Sequence, residues 1–348
     1  MQLAFRVDAS LQAGTGHVMR CLTLADELRR RGADARFLCR EEPGNLIALI
    51  ESRGYQTANL GSGTALVQQS DAKLCARHLA QRRPDWIVVD HYALAQAWES
   101  AVRRYTGRIF VIDDLADRDH DCDLLLDQNL YDGVEKRYGS RVPKQCRQLI
   151  GPRLALLRPE FAALRSKVSR PARPIARLLI NFGGADSTNE TARILGLLQD
   201  LLPPAVSVDV VLGATNPHVK QIRSLASTAR PISVHVATDR MAELMSQADA
   251  FVGAGGSTTW ERLCLGLPAL VVAVAENQVP TAQYLGKLGV IDYVGAASAV
   301  TVDALRASLA RFLIDHEGRA RMAELGMQLV DGRGAERVTD CLLAFGNA

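Results

Sequence analysis

No apolar run in these 348 residues approaches the roughly 18 needed to cross a bilayer. The first residues, Met1-Gln2-Leu3-Ala4-Phe5-Arg6-Val7-Asp8, lack the apolar core and small-residue cleavage pattern of a secretion signal. They read as a first strand, so a cytoplasmic protein without stable membrane insertion is expected. Cys21, Cys39, Cys75, Cys122, Cys146, Cys264 and Cys341 are scattered, odd in number and form no CxxC pair. That argues against a disulfide framework and a zinc site, and buried or free thiols are expected instead. There is no GxGxxG and no Walker loop, which lowers NAD(P), FAD and P-loop ATP as ligands. Aromatic residues are only 5% and the net charge is +3, too little of either for a nucleic-acid partner. Between Arg141 and Arg177 the single acid Glu160 stands against ten Arg and Lys residues. This stretch reads as a solvated interdomain surface, with a rim attracting an anionic substrate as the functional alternative.

What is present fits an ordinary globular chain of about two domains: 48% hydrophobic and 23% charged residues. Apolar runs, most of them ending in an acid, alternate with helical patterns. Leu3–Val7, Ala35–Cys39, Trp86–Asp90, Ile109–Asp113 and Leu124–Asp127 read as buried parallel strands. Between the first two, Val18, Leu22, Ala25 and Leu28 repeat at helical spacing over Gly16–Arg31. Arg165–Arg177, broken by Pro171 and Pro174, reads as a linker. The pattern then restarts with Arg177–Asn181, Val208–Leu212, Ile232–Val236, Ala250–Gly253 and Ala269–Val274. This predicts an α/β protein with two doubly wound sheets facing a cleft: residues 1–165, residues 175–330, and a C-terminal helix within 331–348.

Five motifs sit at predicted strand ends. Gly14-Thr15-Gly16-His17 follows the first strand and opens a helix. Its glycines admit a close ligand, the helix start favours negative charge, and a histidine with an ordinary pKa of about 6.5 can serve as a general base. Arg20 lies one turn on, on the same face; a helix start with an incidental histidine is the structural alternative. Asp90-His91-Tyr92 offers a tyrosine ring and hydroxyl to a sugar, or is a strand-end turn. Gly183-Gly184-Ala185-Asp186-Ser187 reads as a phosphate cradle, with Ser187 and Glu190 as a capping box. In Gly253-Ala254-Gly255-Gly256-Ser257-Thr258-Thr259-Trp260-Glu261 the backbone can grip a diphosphate and Glu261 can accept ribose hydroxyls; Thr258 and Glu261 equally fit a capping box. Glu276-Asn277-Gln278 brings an amide pair suited to sugar or phosphate oxygens.

These five motifs, with Phe5-Arg6-Val7-Asp8, Asp113-Asp114 and Asp127-Gln128-Asn129, resemble the UDP-2,4-diacetamido-2,4,6-trideoxy-β-L-altropyranose hydrolases of pseudaminic acid biosynthesis over roughly the whole chain except its last few tens of residues. A more distant likeness is to the glycosyltransferase that adds N-acetylglucosamine during peptidoglycan synthesis. The resemblance implies a GT-B fold, a UDP-sugar substrate, no metal and no other cofactor, and water attack at the anomeric carbon with inversion. It implies His17 as the base and UDP held by Gly183, Gly184, Gly255, Gly256, Ser257 and Glu261. Gly14, Gly16, Arg20, Tyr92, Asn129, Asn277 and Gln278 are expected in the substrate site. Asp8, at the mouth of the same loop, is expected to orient His17 or the water, with a purely structural aspartate as the equal alternative. A glycosyltransferase with a UDP-sugar donor, and a silent sugar-nucleotide binder, are the competing readings. The glycine- and threonine-rich 255–260 stretch departs from the hydrolase pattern, and the chain from about Ser298 onward carries no readable motif.

Overall fold

The computed structural model describes residues 1–63, 66–226 and 231–345. Among these residues two parallel sheets form, each the centre of one compact unit. The first unit is Met1–Leu156 with the segment from Arg333 on; the second is Leu157–Gly332.

In the first unit the strands are β1 (Gln2–Val7), β2 (Asp34–Cys39), β3 (Gln56–Asn59), β4 (Trp86–Asp90), β5 (Arg108–Ile112), β6 (Leu124–Asp127) and β7 (Arg147–Ile150). Their order is β3-β2-β1-β4-β5-β6-β7, every pairing parallel. The winding reverses between β1 and β4, so the loops after these two strands part there and leave room for side chains. Successive residues of β1 enter opposite layers. Leu3, Phe5 and Val7 join the core beneath the helix Gly16–Arg30. Ala4 joins the other layer, where Arg6 is fully buried against Asp71.

In the second unit β8 (Arg177–Asn181), β9 (Ser207–Leu212), β10 (Ile232–Val236), β11 (Ala250–Gly253), β12 (Ala269–Ala273) and β13 (Asp292–Ala296) run in the order β10-β9-β8-β11-β12-β13, again all parallel. The switch falls between β8 and β11. A side chain at Gly253 would place its Cβ 1.9 Å from the Asn181 carbonyl, so the two strand ends touch only because position 253 is glycine.

Three strands escaped the sequence reading: β3, β7 and β13. All lie at sheet edges, where one side has no neighbour and the apolar run that marks a central strand is missing. The division between units also falls before the expected linker. The helix Pro159–Arg165 packs on the helices Met241–Gln247 and Thr258–Cys264 of the second unit. Arg165 donates to the carbonyls of Cys264, Met327 and Val330, and Arg170 to those of Met245, Ala248 and Leu265. Arg173 and Arg177 pair with Asp249 and Asp209. Arg165, Arg170, Arg173 and Arg177 thus tie helix ends and strands together, while Lys144, Arg147, Arg153 and Lys167 of the same stretch are exposed, as a solvated surface requires. At the other end the helix Gly334–Ala344 returns to the first unit and packs on Gly16–Arg30, with Val338 and Leu342 in its core. All seven cysteines are buried and free. Among the described residues no helix is long and apolar enough to cross a membrane.

Candidate active site

The loop after β1 closes on itself before the helix Gly16–Arg30 begins. The Gly14 amide bonds the Ser10 carbonyl at 2.9 Å, and Gly14 has φ +74° with nothing within 4 Å of a notional Cβ. Glycine is thus favoured there by backbone conformation rather than by space. Thr15, at the N-cap, makes no side-chain cap, leaving helix-start amides without that acceptor.

One residue into the helix, His17 Nδ1 lies 2.6 Å from Asp90 Oδ1. A nitrogen this close to a carboxylate oxygen carries the proton between them, which assigns Nδ1–H as the donor. In the neutral ring the lone pair is then on Nε2, which makes no hydrogen bond among the described residues. Arg20 grips both oxygens of Asp90 through Nε at 2.5 Å and Nη2 at 2.6 Å, and reaches Asp114 through Nη1 at 2.9 and 3.0 Å. Burial alone would raise the Asp90 carboxyl, but Arg20 and His17 outweigh it and hold it well below the usual carboxylate range. Asp90 is therefore a fixed anion behind the ring.

His91 is equally close to strand ends and chemically different. Its Nδ1 accepts from the Ala93 amide at 3.0 Å, and its Nε2 lies 3.2 Å from Asp8 Oδ2. Both ring nitrogens are engaged, so His91 has no lone pair to offer. Asp8 in turn meets Arg6 at 2.7 Å and accepts the Arg40 amide at 2.7 Å. Against the pull of burial, His91 and Arg6 keep its carboxyl well below the usual range. Asp90, not Asp8, makes the contact to His17, and Asp8 instead pairs with Arg6 and His91, in keeping with its structural alternative. Chain order could not reveal this, because β4 becomes the neighbour of β1 only through the crossover.

The remaining first-unit residues gather around the same strand ends. Tyr92, 36% exposed, stands edge-on to His17 with ring centroids 4.6 Å apart at 87°. Its hydroxyl donates to Asp114 at 3.1 Å. Asn129 donates its side-chain amide to Asp114 and Asp127, each at 2.9 Å, so its Nδ2 serves the carboxylates beside the site. Tyr138 lies 2.9 Å from Asp113 Oδ2 and 3.1 Å from Asp127 Oδ2. Burial, with Asp114 nearby, pushes the Asp127 carboxyl up to about 6. Asp90 and Asp114 are the residues that sequence reasoning passed over as site residues. The available signal was an acid at or just past the carboxyl end of β1, β4, β5 and β6.

In the second unit the predicted loops again lie at strand ends, with changed roles. The expected Ser187–Glu190 capping box is not formed. Asp186 takes the amides of Glu190 at 2.9 Å and Thr191 at 3.1 Å, so a carboxylate already fills the first amides of the helix Glu190–Leu201. Gly183 has φ +88°, and Gly184 accepts the Gly213 amide at 3.0 Å. Thr258 does not cap either; Ser257 is the N-cap residue of Thr258–Cys264, without a side-chain bond. Gln278 accepts the amides of Gly255 at 3.3 Å and Val274 at 3.1 Å, which shapes the glycine loop and leaves the exposed Asn277 beside it. Glu261 is half-buried with Arg158 at 4.0 Å. Desolvation pushes its carboxyl up to about 7, with Arg158 opposing.

No family model matches the chain. It is 27% identical over 290 residues to the UDP-2,4-diacetamido-2,4,6-trideoxy-β-L-altropyranose hydrolase of Campylobacter jejuni, an alignment covering 83% of this chain and 97% of that one. Among solved structures it superposes on MurG of Acinetobacter baumannii with a TM-score of 0.71 and 15% identity, covering 99% of both chains. It also superposes on the UDP-GlcNAc 2-epimerase of Neisseria meningitidis bound to UDP-GlcNAc, with a TM-score of 0.67, 14% identity, and 99% and 100% coverage. The shared architecture is GT-B, as the motif resemblance implied, and the likeness to a UDP-sugar hydrolase extends over most of the chain.

Proposed function

We propose that this chain is a UDP-sugar hydrolase, and that its substrate is UDP-2,4-diacetamido-2,4,6-trideoxy-β-L-altropyranose, cleaved without a metal to UDP and the free sugar. The observation that carries the reading is the His17–Asp90 contact, which leaves Nε2 of His17 as an uncommitted base. It lies beside the exposed Tyr92, at the switch between β1 and β4. The similarity to the Campylobacter jejuni hydrolase supports the choice of water as nucleophile and of the sugar.

In this reading Nε2 takes a proton from water as the water oxygen attacks the anomeric carbon. The bond from that carbon to the diphosphate oxygen breaks, UDP leaves with the electron pair, and the configuration inverts. The imidazolium, steadied by Asp90, then returns its proton to solvent. Tyr92 offers its ring to the sugar, while Gly14 and Gly16 let substrate approach the helix start, whose dipole favours developing negative charge. UDP is assigned to Gly183, Gly184, Gly255, Gly256, Ser257, Glu261 and Asn277 of the second unit, with Gln278 shaping the loop that receives it. The reaction belongs to pseudaminic acid biosynthesis and to the cytoplasm.

The test is UDP release from this sugar nucleotide in chelator-treated, oxygen-labelled water, comparing wild type with His17→Ala. Label in the sugar, with release lost in the variant, is expected. UDP binding without release overturns the hydrolase reading; release only on adding an acceptor would indicate a glycosyltransferase.

A further inference from the structure

We propose that Asp114 is a positioning residue for His17: it neutralises Arg20, so that the charge of Asp90 acts on the imidazole, and it holds Tyr92 against the ring. The proposal rests on the reading of His17 as the base. Three donors converge on this one carboxylate: Arg20 Nη1 at 2.9 and 3.0 Å, the Tyr92 hydroxyl at 3.1 Å and Asn129 Nδ2 at 2.9 Å. Its own backbone is fixed as well, since its carbonyl accepts from Tyr131 at 2.8 Å and Arg137 at 3.1 Å.

The charges show why the site needs it. Arg20 Nη2 lies 3.2 Å from His17 Nδ1, and Arg20 binds both oxygens of Asp90. Arg20 and Asp90 alone form a neutral pair, with the cation as close to the imidazole as a hydrogen bond. An imidazolium formed beside such a pair gains little from Asp90. Asp114 restores one net negative charge to the group without touching the ring. The other charged and titratable neighbours do not replace it. Cys21, on the same helix, has a thiol pushed upward by burial and directed at Asp90 at 3.6 Å. Tyr92 is a hydroxyl donor whose ionisation burial also pushes upward. Asp8 and His91, after β1 and β4, are occupied with each other and with Arg6. Asp127, at the end of β6, is separated from Asp114 by the Asn129 amide.

Ring-nitrogen NMR of isotope-labelled, ligand-free protein tests this, with the His17 signal identified by its loss in His17→Gln. In Asp114→Asn the midpoint of His17 protonation should fall by about one pH unit, the usual effect of losing a nearby charge. In Arg20→Met it should rise, and in the double variant it should return toward wild type. The acid limb of kcat/KM should move with the midpoint in Asp114→Asn. An unchanged or raised midpoint in Asp114→Asn overturns the proposal. Should that variant not fold, an unchanged or lowered midpoint in Arg20→Met does the same. Because the titration needs no substrate, midpoints moving in this order while wild type releases no UDP would keep the positioning role and remove the hydrolase reading.

Discussion

His17 and Asp90 stand 73 positions apart in the chain and 2.6 Å apart in space. Asp90 ends β4 and His17 stands in the first turn of the helix that follows the neighbouring β1, and together they make the arrangement on which the functional reading turns. Asp90→Asn keeps the shape and removes the anion. The introduced amide can then donate toward Nδ1 and favour the tautomer that puts the proton on Nε2. UDP release by Asp90→Asn is expected to fall roughly 10²–10⁴-fold, as for loss of a general base or its tautomer, with UDP affinity unchanged. Steady-state kinetics beside calorimetric UDP titration would check both. Turnover within a few-fold of wild type would remove Asp90 from the mechanism.

Asp8 should behave in the opposite way. Asp8→Asn leaves fully buried Arg6 with Asp71 as its remaining carboxylate and weakens the His91 contact. A stability loss of about 1–3 kcal/mol is expected, with turnover per folded molecule retained. Urea unfolding and kcat on the same preparation decide it. A variant of wild-type stability that has lost turnover would return Asp8 to the chemistry.

Asp127 carries a pH signature. Its folded-state carboxyl, at about 6 against an ordinary 3.8, holds its proton more tightly than in the unfolded chain. The associated stabilisation is fully present below about 3.8 and is lost as pH rises through about 6. One hydroxyl proton on Tyr138 cannot satisfy both Asp113 and Asp127, so a protonated Asp127 supplies the second. An asparagine at this position supplies it permanently. Asp127→Asn should therefore be more stable than wild type by about 2–3 kcal/mol at pH 7 and equal to it near pH 4. Denaturant unfolding at both pH values measures this, and a difference independent of pH would refute it.

Glu261 is expected to make UDP binding depend on pH. With its carboxyl at about 7, the acceptor form suited to two ribose hydroxyls is the minority below that pH and dominant above it. Affinity for UDP should rise by up to about tenfold per unit as pH approaches 7 from below, then level off. Glu261→Gln should show a smaller rise. Comparing the two proteins cancels the ionisation of UDP itself, and identical slopes would take Glu261 out of the nucleotide site.

The central strands, the helix after the first glycine loop and the two-sheet plan were legible in the sequence because burial on both faces writes a continuous apolar run. β3, β7 and β13 were not legible, since these edge strands have no fully buried residue and no continuous apolar run. The place of His17 at a helix start could be read because its glycine loop, strand and helix are contiguous. Its partner could not: an aspartate follows β1 and another ends β4, and only the sheet order places the second against the histidine. The same limit applies to the caps. Ser187 and Glu190 have capping-box spacing, yet the backbone at Asp186 and Asn189 turns with positive φ and brings Asp186 to the helix start instead. Local periodicity and turn chemistry are properties of neighbouring residues, so the elements and the glycine loops between them can be read along the chain. Which carboxylate meets which base depends on the crossover between β1 and β4, a relation between distant residues that exists only in the folded molecule.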